Sequence, residues 1–153
     1  MKKILLGALL MASLNANSQS LPLPSDSELK ASYCIAVKQK HLELIDSILR
    51  DPSNDSVREF SNKSRADTLY QLDRLKKYLI PRMFHLDPTG LVMARQSAEA
   101  DIAQSMSNAS GCFESCGKLS GGPKIQQTCS QKCFDNPITK RFAACNDLTW
   151  MPY

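Results

Sequence analysis

Cysteine and histidine supply much of the nucleophilic, redox and metal-binding chemistry open to side chains, and this 153-residue chain has six of one and two of the other. Cys34 and His41 stand seven residues apart, so a helix would carry both on one face. As thiol and imidazole they would make a nucleophile–base pair. Cys112, Cys116, Cys129 and Cys133 put four sulfurs into one short stretch. As thiolates they could hold zinc, or copper(I) with help from Met93, Met106 or Met151. Zinc sites favour cysteines two residues apart on turns, however, and here the members of each pair are four apart. There is no Cys-x-x-Cys, haem-attachment motif, Gly-x-Ser-x-Gly elbow, His-Glu-x-x-His, P-loop or dinucleotide fingerprint. Glu99 and Asp101 do not share a helix face and read as solvated charge. His85 reads as a surface residue. No catalytic residue, cofactor site or metal ligand is expected.

Which of these side chains keeps its reactivity depends on the compartment. Lys2 and Lys3 precede an apolar run from Ile4 to Leu14, the pattern of a signal peptide and too short for a membrane span. The small residues Ala16, Ser18 and Ser20 leave cleavage after 16, 18 or 20 open. The expected organisation is a signal peptide over 1–16, a flexible leader over 17–24 and one domain over 25–153. Of the formal net charge of +4, Lys2 and Lys3 carry half, so no polybasic surface for nucleic acid is expected. No later stretch is long and apolar enough to span a bilayer. The short lysine-bearing start points to a periplasmic or secreted bacterial protein, where an even number of cysteines reads as a disulfide framework.

The elements that must position the cysteines are helices. Ser25 and Glu28 form a capping box. The stripe Leu29, Tyr33, Val37, His41, Leu44 and Ile48, widened by Cys34 and Ile45, has the period of an amphipathic helix that stops at Asp51-Pro52. A second helix carries Leu69, Leu72, Leu75 and Leu79, starts at Asp55 or Ser64, and ends before Ile80-Pro81, leaving 81–86 as a linker. Asp87-Pro88 opens a third, with the stripe Leu91, Ala94, Ala98, Ile102, Met106 and Ala109 leading into Cys112, Phe113 and Cys116. Gly121, Gly122 and Pro123 reverse the chain into a fourth helix reaching Asp135, and Asn136-Pro137 opens a short fifth. The fold class is therefore all-α: a disulfide-stapled bundle of four to five helices.

Residues four apart share a helix face, and twelve residues separate Cys116 from Cys129. In an antiparallel hairpin Cys116 then faces Cys129 and Cys112 faces Cys133. The crossed pairing would put sulfurs about 5.4 Å out of register along the axis, beyond disulfide reach. Cys34 is left to pair with Cys145. The run Cys112-Phe-Glu-Ser-Cys116, the glycines and Cys129-Ser-Gln-Lys-Cys133 resemble the twin Cx3C motif of the small mitochondrial Tim chaperones, and the spacing is similar to that of plant α-hairpinins. Both resemblances imply a helical hairpin with nested bonds. The first implies escort of apolar segments, the second antimicrobial or inhibitory action. Outside residues 112–133 the chain departs from both, with long helices ahead of the motif, a third cysteine pair and Pro137 interrupting the outer helix. The stretch from Leu23 to Cys34 resembles uncharacterised secreted bacterial proteins.

Two segments are apolar and aromatic where loops are usually polar: 78–86 and 148–153. They either cover the helix ends or present Phe84, Trp150 and Tyr153 to a partner. The expected function is thus an exported, non-catalytic module that binds a protein or peptide. A secreted effector, toxin or inhibitor is the second reading, and a metal or thiol-redox protein the third.

Overall fold

A computed structural model describes residues 20–118 and 122–151; the expected signal peptide and Tyr153 lie outside them. Five α-helices follow one another, with no strand among the described residues: α1 (Asp26–Arg50), α2 (Arg58–Met83), α3 (Pro88–Gly117), α4 (Pro123–Lys132) and α5 (Pro137–Ala143). The protein is an all-α, disulfide-stapled bundle. Each well-marked start is a side-chain cap. Ser25 accepts from the Glu28 N–H while Glu28 reaches back to the Ser25 N–H. Asp87 caps α3 through the Thr89 N–H, and Asn136 caps α5 through those of Ile138 and Thr139.

Packing centres on α1, against which α2 and the first half of α3 lie. The core is Ala31, Cys34, Ala36 and Val37 of α1, Leu75, Tyr78 and Leu79 of α2, Leu91 and Ala98 of α3, and Leu86, Cys145, Leu148 and Met151 outside the helices. The small residues on α1 and α3 let the backbones approach closely. At the start of α3 the Leu29 side chain packs directly on the backbone: a Cβ on Gly90 would lie 3.2 Å from a Leu29 methyl. Pro22 and Pro24, expected in the leader, are tied down here. The Pro22 carbonyl accepts from the Asp87 N–H at 2.9 Å, and the Pro24 ring lies against Gly90.

Two expectations about α2 need correction. The helix does not end before Pro81; it runs through Pro81 to Met83. A proline in a last turn forfeits one backbone bond and ring clearance, and the neighbouring contacts offset this. The Arg82 guanidinium donates to the Tyr78 carbonyl and lies 4.2 Å over the Tyr78 ring. The first half of the segment 81–86 is therefore helix end, and only 84–86 connect α2 to α3. The buried face also differs from the expected leucine stripe: Ser61, Thr68, Leu72, Leu75, Tyr78 and Leu79 face inward, while Leu69 is substantially exposed. The Thr68 hydroxyl escapes desolvation by donating to the Ser64 carbonyl at 2.7 Å. The start, Arg58, falls between the two expected positions, after a 3₁₀ turn over Pro52–Val57.

Beyond Ile102, α3 leaves the core, and Cys116 is its one buried residue there. α4 packs back on it, after Gly122 takes a positive φ of 86° that suits glycine. It ends at Lys132, short of the expected Asp135.

Candidate functional site

The cysteines are all in disulfides, so none carries thiol chemistry. Cys112 is bonded to Cys133 and Cys116 to Cys129, with Cα separations of 5.8 and 5.6 Å, and Cys34 is bonded to Cys145. This closes the hairpin twice and clamps α1 to the C-terminal segment. Sulfurs of Cys112, Cys116 and Cys133 lie within 4.8 Å of one another, a spacing that thiolates could use for an ion; a disulfide sulfur has no such charge to offer. Cys34 cannot partner His41 for the same reason. His41 is instead on the exposed side of α1, its Nδ1 3.4 Å from the Thr68 hydroxyl. That hydroxyl has committed its proton to Ser64, so it can only accept from His41.

The expected partner surface is divided. Phe84 is 74% exposed, beside the exposed Met83. Trp150 is half-buried, its ring edge-on to Tyr78 at 6.3 Å with the Lys30 ammonium 4.6 Å from its centre. Its Nε1 is buried with no hydrogen-bond partner among the described residues. Leu148 and Met151 are buried, so the tail serves chiefly as core.

A different site emerges on α1. Where α3 leaves the core, a groove of about 800 Å³ opens between α1, α3 and α5. Its walls are mostly apolar: Val37 and Leu44 of α1, Ile102 and Met106 of α3, Phe142 and Ala143 of α5. Lys38 lines it, although the residue is only 4% exposed. Its ammonium donates to the Asn146 Oδ1, next to the clamped Cys145. No carboxylate of the described residues pairs with it, and burial lowers its proton affinity. The same desolvation, followed by the nearby Lys38 charge, lowers that of His41, which also lines the groove. Glu43 is the one acid of the lining, and Lys40 holds it at 2.7 Å.

A second groove, of about 660 Å³, adjoins it between α1, α2 and α3 and shares Lys40, Glu43, Ile102 and Met106 with it. Its acids are paired: Asp46 is bonded to Arg65, Glu99 to Arg95 and Glu43 to Lys40, while Lys76 lines it part-exposed. Of these two grooves, the one beside α5 combines apolar walls with a buried, uncompensated cation. Comparison with protein-family models, curated proteins and solved structures gives no match.

Sequence reasoning missed Lys38 because a lysine reads as solvated. The signal was its position, four residues after Cys34 and seven before Ile45, which puts it on the face that faces inward. No helix among the described residues is long and apolar enough to cross a membrane.

Proposed function

We propose that this chain is an exported, non-catalytic binding module, released to a bacterial periplasm or beyond, that takes an extended apolar ligand into the groove between α1, α3 and α5. The observation that carries the reading is that groove itself, about 800 Å³ with apolar walls from three helices. Its size falls in the range of small-ligand sites. Three disulfides accord with an oxidising compartment. No activated nucleophile accompanies the groove. A protein or peptide partner held at Phe84 is the second reading, favoured by the exposure of that ring with Met83 and Ile80 close by in sequence.

Titration with the neutral fluorophore N-phenyl-1-naphthylamine separates the two. Saturable one-site binding is expected. Leu44 and Met106 are both exposed, so Leu44→Glu and Met106→Glu should weaken binding at least tenfold while leaving the unfolding midpoint in place. Phe84→Ala should leave the titration unchanged. If the groove variants bind as the parent does, the groove reading is lost; if Phe84→Ala is the damaging change, the site belongs there.

A further inference from the structure

We propose that the ligand of this groove is a single-chain amphiphile with a carboxylate head, a long-chain fatty acid, whose carboxylate pairs with the Lys38 ammonium while its acyl chain lies along α1 towards Leu44. The inference rests on the groove reading above and adds the chemistry of the ligand.

Three observations converge. The first is charge. An ammonium removed from water needs a counter-charge or full hydrogen bonding. Lys38 has three protons to donate and one named partner, the amide oxygen of Asn146. The remaining groove charges sharpen the imbalance: Lys40 and Glu43 cancel, and Arg50 donates to the Asp46 carbonyl of its own helix. The groove therefore has positive charge to spare and no free acid.

The second is the polarity of the walls. An extended peptide would bring an N–H and a C=O per residue, each needing a partner. Ser47, Ser105 and His41 are the polar side chains left in the lining once Lys38, Asn146, Lys40, Glu43 and Arg50 are assigned. That is too few for a peptide and enough for an acyl chain, which needs none. The third is shape. The α1 residues of the lining run from Val37 to Arg50, about 20 Å of helix at 1.5 Å per residue. Lys38 is the one buried cation of the lining and suits a carboxylate as a point charge, while Lys40 and Arg50 are exposed.

Equilibrium dialysis of radiolabelled palmitate, hexadecanol and hexadecylamine against the protein tests the assignment. Palmitate should bind at least tenfold more tightly than hexadecanol, and hexadecylamine more weakly than either. Lys38→Met should bring palmitate down to the level of the alcohol. Palmitate no tighter than hexadecanol, or an acid preference that survives Lys38→Met, overturns the head-group assignment. An apolar hexapeptide with a free C-terminus that binds more tightly than palmitate would give the site to peptides and likewise overturn it. Binding of the neutral fluorophore without acid preference removes only this inference; failure of every ligand, the fluorophore included, removes the groove reading as well. Should Lys38→Met not fold, the acid–alcohol comparison on the parent protein decides alone.

Discussion

The bundle around Leu75 and the hairpin closed by Cys112–Cys133 and Cys116–Cys129 are held together by different physics. In the bundle, three helices bury a shared set of apolar side chains, and Leu75 is completely inaccessible. Among the described residues of the hairpin the one fully buried side chain is Cys116, and Ile125 and Phe134 remain about half exposed. Phe113 and Phe134 meet edge to face at 5.4 Å, but they cover little else. α4 has ten residues, below the length at which an isolated helix is stable in water. Covalent cross-links thus stand in for burial where the chain leaves the core. The groove lies along the seam between the two regimes, where Met106 has left the core and Ile102 still touches it.

If that division is right, removing disulfides one pair at a time has unequal consequences. The largest effect belongs to the clamp. Cys34–Cys145 spans 111 residues of sequence, and closing a loop of about 100 residues is worth about 4.7 kcal/mol in the chain-entropy model. Cys34→Ala with Cys145→Ala should lower global stability by that order in guanidinium unfolding. Replacing all four hairpin cysteines by alanine should leave the bundle's midpoint in place and abolish amide-exchange protection over Pro123–Lys132. An equal loss of global stability from both sets would show that the hairpin and bundle unfold as one unit, and the comparison would fall. Next comes the core itself. Leu75→Ala should cost about 3 kcal/mol, the middle of the range for a buried leucine, read as a shift in the same midpoint. Protection within α4 should not change, since the cross-links that set it are intact.

The hairpin and the bundle were also unequally legible in the sequence. Helix starts at Asp26, Pro88 and Pro137 could be read because each has a capping side chain at a fixed offset, a local interaction that needs no tertiary context. The helical nature of the hairpin could be read from cysteines at a spacing of four and glycines between them. The end of α2 could not, since Pro81 is a stop signal that the Arg82–Tyr78 contacts override. Nor could the inward face at Thr68, where a hydroxyl satisfied within its own helix takes a position the leucine pattern assigned to Leu69. The candidate site was the least legible part. Its apolar walls come from three helices, and its cation is of a type whose burial composition never suggests.

The smallest of the expected effects concerns the seam. The Tyr33 hydroxyl donates to Asp101 Oδ2 at 2.7 Å, and Arg141 grips the same carboxylate at 2.9 and 2.7 Å, joining α1, α3 and α5 where the core ends. Burial, and then the bond to Asp101, pushes the Tyr33 hydroxyl from its ordinary 10 up to about 12. The folded state therefore holds the phenolic proton more tightly than the unfolded chain does. The stabilisation is fully present below pH 10 and is lost as pH rises through 10 towards about 12. Arg141, through its hydrogen bonds, holds Asp101 below the usual carboxylate range; that contribution has the opposite sense, being present above the unfolded value and lost as pH falls. Tyr33→Phe should flatten the alkaline fall relative to the parent while reducing the acid limb only slightly, because Arg141, the larger of the two hydrogen-bond partners, still holds Asp101. Denaturant midpoints across both limbs provide the measurement. Parallel alkaline limbs in parent and variant would mean that the three-helix junction does not titrate as a unit of the core, and the boundary drawn at Asp101 would have to move.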